Sequence, residues 1–341
     1  MNNYKLEIKL EFIPGLKDVV LDEINQNLNL SVTEKKENFV YLNFIENISL
    51  IKELRSILRG YIVTQNISYN PHYVSKHKSI IGNIISIINK NTKDSFKSFK
   101  IICAGSDSPE VRSIADYIQD TYKLIEDEDA DLKVHIIKIK NIWEVGVQIS
   151  KRPLSVREYK IRNMDGAMDP TIAHSLNYLC SLKDFNSYLN IFSGSATLLI
   201  EAAHYYPHLK KFVGFDNSKE CISLAIQNIR EAGLIKTIKL KEEDIFNNPQ
   251  LGKFDVITSD LPFGMLVSKY EDLEELYQYF IDYCENTLNP GGVLGVYTSN
   301  HKMLKKIIKK SNFKITKELK LKLFTSTNTR LYPKILICCY K

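Results

Sequence analysis

From Asp169 to the C-terminus the chain alternates apolar runs with amphipathic stretches, and this alternation restricts the fold more than any other feature. Asp169-Pro170 reads as an N-cap followed by a first-turn proline, opening a helix over Thr171 to Leu182. Strands follow at Tyr188–Phe192, Lys211–Asp216, Thr237–Leu240 and Phe254–Ser259, each separated from the next by a helical pattern or a polar turn. One intervening helix runs through His204; a second, capped by Asn217 or Ser218, repeats Ile222, Ala225, Ile226 and Ile229. A third helix is expected over Glu271 to Leu288, with Asn289-Pro290-Gly291-Gly292 turning the chain into a strand over Val293 to Thr298. Leu304 to Ile308 is helical, and two strands near Phe313–Phe324 and Lys334–Tyr340 close the chain. Short β-branched strands joined by helices predict a doubly wound parallel sheet, here ending in an antiparallel hairpin.

In such sheets ligands bind beyond the carboxyl ends of the strands, so the residues there carry the chemistry. Gly194 follows the first strand and precedes a helix, where backbone can approach a ligand and free N–H groups are on offer. The dinucleotide fingerprint is absent, because Ser195 and Ala196 stand where further glycines would be expected; this argues against NAD or FAD. Asp216 ends the second strand about 22 residues beyond Gly194, near the spacing at which an acid takes ribose hydroxyls. Asp244 ends the third strand, where it either reaches an adenine amine or simply caps Ile245-Phe246. Asp260-Leu261-Pro262-Phe263-Gly264 ends the fourth. A carboxylate, a proline and an aromatic ring emerging together suit a site for a flat, amine-bearing ring; the competing reading is a proline turn with a capping Asp.

The N-terminal half has a different texture. Residues 1 to about 45 read as strand, helix, strand, strand, with Pro14-Gly15 breaking the first strand from a helix marked by Leu16, Val19, Val20, Ile24 and Leu28. A second α+β stretch follows, with helices around Ile84–Ile88 and Val111–Leu124 and a strand at Phe99–Ala104. Strands at Lys133–Ile139 and Ile142–Val147 are spaced as a hairpin by Lys140-Asn141. Trp143 is expected on a core or sheet face rather than against a base. The first of these stretches holds no catalytic constellation. A linker then carries Lys151, Arg152, Arg157, Lys160 and Arg162 interleaved with Tyr159, a mixture that suits nucleic acid as well as it suits a plain interdomain linker.

Composition removes other classes. No run is long enough to span a bilayer and no signal-peptide core opens the chain, so a cytoplasmic protein without membrane contact is expected. The six cysteines form no CxxC pair and lie within apolar patterns, which reads as reduced core thiols with no metal site. The net charge of +6 is uneven: from His301 onward there are 12 Lys and Arg against one acid, Glu318, leaving −5 for the remainder. Such a face either meets phosphate or is a solvated surface.

Asn190-Ile191-Phe192-Ser193-Gly194-Ser195-Ala196-Thr197 resembles the first motif of class I S-adenosylmethionine-dependent methyltransferases. Asp260-Leu261-Pro262-Phe263 is similar to the amino-methyltransferase motif, usually Asp or Asn, Pro, Pro, then Phe or Tyr. With the preceding α+β segments, the layout looks like the THUMP-domain RNA methyltransferases, nearest to the group forming N2-methylguanosine at position 6 of tRNA. The resemblance implies a ferredoxin-like segment over 1–48, a THUMP-like RNA-binding domain over 49–150, a basic linker over 151–165 and a Rossmann-like methyltransferase domain over 166–341. That last domain would hold a seven-stranded sheet with a C-terminal antiparallel hairpin.

On matching residues it implies that Asn190, Phe192, Gly194, Ser195 and Thr197 line the methionine end of S-adenosylmethionine, Asp216 holds its ribose and Asp244 its adenine. Asp260 would bind the target exocyclic amine with the Leu261 and Pro262 carbonyls, beside the cofactor, while Phe263 stacks on the base. Arg152, Arg157, Lys160 and Arg162 would contact RNA. The expected activity is guanine-N2 methylation of RNA by a monomer without metal, tRNA being favoured over 23S ribosomal RNA; a silent RNA-binding protein is the non-enzymatic rival. A protein-glutamine methyltransferase shares the second motif but has no need of an RNA-binding half. Two departures stand out: Ala196 replaces a commoner glycine, which bears on loop stiffness, and Leu261 replaces a proline, so carbonyl placement is expected to be less rigid.

Overall fold

The computed structural model describes residues 4–28, 30–66, 74–91, 96–103, 108–139, 142–164, 166–262, 270–324 and 329–340. The chain divides into two compact units, one of Met1–Phe12 with Val20–Ser155 and one of Ile13–Val19 with Val156–Lys341. No helix among the described residues is long and apolar enough to cross a membrane.

The first unit is built from β1 (Leu6–Glu11), α1 (Lys17–Leu28), β2 (Val32–Lys35), β3 (Phe39–Asn43), α2 (Ser49–Lys52), β4 (Arg59–Asn66) and α3 (Val74–Asn91). It continues through β5 (Ser98–Cys103), α4 (Pro109–Tyr122), β6 (Ile125–Glu126), β7 (Leu132–Ile139) and β8 (Ile142–Gln148). All eight strands join one sheet in the order β2-β3-β1-β4-β8-β7-β5-β6. Strands on either side of residue 48 therefore share a ladder, with β4 antiparallel to β1 from Leu6↔Thr64 to Glu11↔Arg59. One face carries the apolar core, including Ile8, Leu10, Ile62 and Val134. Glu144 is buried in the same unit, accepting from Lys9 Nζ at 2.8 Å, Gln65 Nε2 at 3.0 Å and Tyr41 Oη, with His135 Nε2 at 3.1 Å. Burial alone would raise its pKa, but His135 and Lys9 hold it down at about 2. Trp143 is half-buried, with Lys138 Nζ 5.9 Å from the centroid of its ring.

The second unit holds α5 (Pro170–Leu179), β9 (Ser187–Ile191), α6 (Thr197–Tyr205), β10 (Lys211–Asp216), α7 (Lys219–Glu231), β11 (Ile238–Glu242), β12 (Phe254–Asp260) and α8 (Tyr270–Thr287). It closes with β13 (Leu288–Thr298), α9 (His301–Lys310), β14 (Phe313–Lys320), β15 (Leu323–Phe324), β16 (Arg330–Leu331) and β17 (Lys334–Tyr340). Seven strands run in the order β11-β10-β9-β12-β13-β17-β14. The first five are mutually parallel, and β17 is antiparallel to both β13 and β14, which is the expected Rossmann-like sheet with its terminal hairpin.

The local signals act as their chemistry requires. Asp169 caps α5 by accepting from Thr171 N–H at 2.7 Å, and Ser218 rather than Asn217 caps α7, accepting from Cys221 N–H at 3.2 Å. Some boundaries differ: Asn289–Gly292 is not a free turn but lies within β13, as an irregularity where Phe254↔Leu288 gives way to Val256↔Val293. The helix opened by Asp169 ends at Leu179, and the run Phe313–Phe324 is two strands, β14 in the main sheet and β15 paired with β16 apart from it. The core between sheet and helices is formed by Leu189, Ile191, Phe215, Ile257, Leu261, Tyr277, Phe280 and Leu294 with their neighbours. All six cysteines are free thiols.

Candidate active site

Strand order reverses at β9, which pairs with β10 on one side and β12 on the other, so a crevice opens beyond its carboxyl end. Register aligns the walls of that crevice. Phe215, Ile191 and Ser259 share one cross-strand row, so Asp216, Phe192 and Asp260 each stand one residue beyond it, side by side.

The loop after β9 bends tightly because three of its five residues are left-handed: Phe192 at φ +57°, Gly194 at +49° and Ala196 at +63°. Ser193 roots it, with its N–H donating to Phe215 O at 3.0 Å and its hydroxyl donating to Asn190 O at 3.0 Å. Space does not demand the glycine at 194, since an added Cβ would meet only Met164 Sδ at 3.5 Å; the φ does. Ala196 is the commoner-glycine position, and the structure supplies the reason for that preference: the backbone there is left-handed and strained for any residue with a Cβ. Ser195 Oγ and Thr197 Oγ1 are 3.1 Å apart and buried at the start of α6.

Asp216 is fixed at both oxygens. Gly194 N–H donates to Oδ2 at 2.9 Å and Ser218 N–H donates to Oδ1 at 3.0 Å. A carboxylate has about four acceptor positions, so lone pairs remain for a ligand's hydroxyls. Asn190 is buried, its Nδ2 donating to Thr258 O at 3.1 Å, while its Oδ1 has no hydrogen-bond partner among the described residues. A buried acceptor of this kind fits the ammonium end of S-adenosylmethionine, as the left-handed Gly194 loop and the pinned Asp216 fit its remaining polar groups. Asp244 accepts from Phe246 N–H at 3.0 Å and from Asn217 Nδ2 at 3.4 Å, so it caps the turn after β11. Its placement beyond the neighbouring strand is compatible with a contact to adenine as well.

Asp260 is half-buried at the end of β12. Desolvation pushes its carboxyl up to about 8, against the lowering pull of Lys160. The next residue departs from expectation. Leu261 is not loosely placed: its N–H donates to Tyr297 O at 3.0 Å and its side chain is buried in the core. A proline could not make that bond, so a ladder hydrogen bond supplies the stiffness that a second ring would otherwise give. The Pro262 carbonyl accepts from Tyr277 Oη at 2.8 Å, and that hydroxyl also lies 3.0 Å from Thr298 Oγ1. Sequence reasoning missed Tyr277, which is distant in the chain and looks like any apolar helix position. Phe263 and Gly264 lie outside the described residues.

The linker cations are largely committed inside the second unit. Arg157 Nε pairs with Glu201 Oε1 at 3.1 Å, and Tyr159 Oη donates to the same oxygen at 2.8 Å, with Glu201 fully buried. Lys160 Nζ donates to Met168 O at 2.8 Å, its pKa lowered by burial although Asp169, Glu201 and Asp260 pull it upward. Arg162 is exposed; its Nε donates to Gln227 Oε1 at 2.8 Å, and its backbone N–H and C=O both bond the Asn228 amide, which also donates to Ser195 O at 3.2 Å. The four cations expected to contact RNA are thus of two kinds. Arg157 pairs with an internal carboxylate and Lys160 donates to a backbone carbonyl, whereas Arg152, in the first unit, and Arg162 are exposed.

The family described as RMKL-like, methyltransferase domain, matches residues 157–327. The U6 snRNA (guanine-N(2))-methyltransferase THUMPD2 of Bos taurus is 31% identical over 173 residues, covering 50% of this chain and 33% of that protein. The tRNA (guanine(6)-N2)-methyltransferase of Methanocaldococcus jannaschii is 24% identical over 253 residues, covering 60% of this chain and 66% of that one. The chain therefore spans from about a third to just under two thirds of the length of these curated relatives. Among solved structures, TrmN from Thermus thermophilus matches with a TM-score of 0.78 at 19% identity, over 98% of this chain and 100% of that chain, a likeness of fold.

Proposed function

Because the chain belongs to the family of RMKL-like methyltransferase domains, we propose that it transfers a methyl group from S-adenosylmethionine to the exocyclic N2 amine of a guanine in RNA, with position 6 of tRNA as the target. The observation that carries this reading is the single row formed beyond the sheet by the Gly194 loop, Asp216 and Asp260. Relatives that act on guanine N2 in tRNA and in U6 snRNA support the choice of atom.

S-adenosylmethionine, when bound, supplies an electrophilic methyl on a sulfonium that leaves as a neutral thioether. The residues of this chain do the rest. Asn190 Oδ1 would accept from the methionine ammonium, Asp216 from the ribose hydroxyls and Asp244 from the adenine amine, while Phe192, Ser195 and Thr197 would close the pocket around them. An exocyclic amine is a poor nucleophile because its lone pair is delocalised into the ring. Ionised Asp260 and the Leu261 carbonyl accept from its two N–H groups, favour pyramidalisation and aim the lone pair along the line of attack. The Pro262 carbonyl, already engaged by Tyr277, sets the direction of the chain at this corner. A carboxylate raised by desolvation is also a better resting place for the proton that the methylated amine must lose. Phe263 stacks on the base once it has left its helix.

The first unit, as a ferredoxin-like segment joined to a THUMP-like domain, grips the RNA by shape and phosphate, and Arg152 and Arg162 are the exposed cations of the linker. The protein works as a monomer in the cytoplasm. The deciding experiment is nucleoside mass spectrometry of tRNA, ribosomal RNA and small nuclear or other small RNAs from cells with and without the gene. Loss of N2-methylguanosine from tRNA, restored by the purified protein and S-adenosylmethionine, supports the reading. An unchanged tRNA nucleoside profile overturns it.

A further inference from the structure

A small ribbon projects beyond the same edge of the sheet as Asp260. Asp260, Tyr297, Ile335 and Leu319 form one cross-strand row, which places the end of β14 three strands from β12, roughly 14 Å away. Because β14 is parallel to β12, the chain after Lys320 leaves the sheet on the catalytic side. There β15 and β16 pair antiparallel, with Phe324 directly opposite Arg330 and Leu323 opposite Leu331. Leu321 roots the ribbon, being buried and donating its N–H to Pro333 O at 2.9 Å.

The ribbon's outer chemistry is unusual for a simple connection. Phe324 is 60% exposed and Tyr332 is 41% exposed. Lys322 Nζ and the Arg330 guanidinium each lie 5.9 Å from the Phe324 ring centroid, and Lys320 Nζ lies 4.5 Å from that of Tyr332. Burying these rings in a private core would have been the ordinary use of a phenylalanine. The only acid after His301 is Glu318, and it is occupied by Lys305 and Lys334. His301, beside Lys334 and Lys305, is held below its ordinary pKa by burial first and by those two cations second. Exposed rings flanked by cations match what binds unstacked nucleotides: π-faces for bases and ammonium or guanidinium groups for phosphates.

We propose that the β15–β16 ribbon is an RNA-docking element of the catalytic unit, in which Phe324 stacks on an unpaired base of the substrate while Lys320, Lys322 and Arg330 engage adjacent phosphates. It holds the strand a few nucleotides from the guanine delivered to Asp260. The inference rests on RNA being the substrate. The alternative is that the cation–π contacts merely stiffen the hairpin, in which case they matter to stability and not to RNA.

The test uses the full chain, an unmodified tRNA transcript and fluorescence anisotropy, alongside calorimetry with S-adenosylhomocysteine as a check on the folded site. Phe324→Ala should weaken RNA binding about ten-fold and raise the KM for RNA, with S-adenosylhomocysteine affinity unchanged and Phe324→Trp restoring binding. Arg330→Gln should flatten the dependence of log Kd on log salt by about 0.7. An RNA Kd within two-fold of wild type for both Phe324→Ala and Arg330→Gln overturns the proposal, also where only the melting temperature falls. Should Phe324→Ala lose S-adenosylhomocysteine binding, Arg330→Gln and Lys322→Gln decide by the same criterion. Wild-type protein that neither binds nor methylates any RNA would remove the functional reading itself; wild-type activity with unaffected variants removes the ribbon alone.

Discussion

The amide of Leu261 donates to the carbonyl of Tyr297 at 3.0 Å, carrying the β12–β13 ladder one residue past the Asp260↔Tyr297 pair. Restoring the family's more usual proline should therefore harm this chain. Leu261→Pro strips the donor, leaves the Tyr297 carbonyl unsatisfied and removes a side chain that is 1% exposed. A loss of about 1–3 kcal/mol from the hydrogen bond alone is expected, with further loss from the packing. Denaturant unfolding measures it, and turnover should fall. A stable, fully active Leu261→Pro protein would show that the ladder bond is incidental.

Tyr277 acts on the motif from behind, through the Pro262 carbonyl and Thr298. Tyr277→Phe keeps the ring in the core and removes only the hydroxyl. Its expected signature is a fall in kcat of about ten-fold with cofactor affinity unchanged, because small misplacement of the corner disturbs the angle of attack. Stability should fall by about 1 kcal/mol. A change confined to KM for the cofactor would assign Tyr277 elsewhere.

Asp260 gives a pH dependence with a definite sign. Its folded-state pKa of about 8 lies above its ordinary 3.8, so the native state prefers the protonated carboxyl. Ionisation at this site costs nothing below pH 4, weakens the fold increasingly between pH 4 and 8, by at most about 1.4 kcal/mol per pH unit, and levels off above 8. Asp260→Asn should thus raise the melting temperature at pH 8.5 and hardly at all at pH 4. The same variant should lose methylation at every pH, whereas wild-type activity rises as pH approaches 8. Equal melting temperatures at pH 8.5 would refute the desolvated carboxyl.

Asp216 holds the loop, one of its oxygens taking Gly194 N–H, and in the proposed reading it also holds the ligand. Asp216→Ala should weaken S-adenosylhomocysteine binding by at least ten-fold in calorimetry, while a control such as Asp244→Asn keeps most of its affinity through the retained cap and amide geometry. Undiminished binding by Asp216→Ala would displace it from the cofactor pocket.

How far the molecule could be read in advance divides along physical lines. Caps and strand interiors are local, so Asp169 and the run Phe254–Ser259 declared themselves, and the cap of α7 was narrowed to Asn217 or Ser218. Strand-end carboxylates were also legible, because a parallel sheet brings successive ends together whatever the details. Contacts that depend on register were not. Nothing near Leu261 in the chain reveals Tyr297, and nothing near Arg157 reveals Glu201, 44 residues later. Cationic residues were therefore read as surface when two of them serve the interior. The continuity of β1 with β4 was hidden for the same reason: it is a long-range pairing between segments with different local patterns.

Ala196 carries a consequence of another kind. At φ +63° an alanine bears a strain of roughly 1 kcal/mol that a glycine would escape. Yet a glycine roams both halves of φ in the free chain, and alanine does not. The bend from Phe192 to Thr197 is consequently narrowed before any ligand arrives, and its strain is met once, at folding. Each catalytic cycle then begins with a receptor that has little disorder left to surrender.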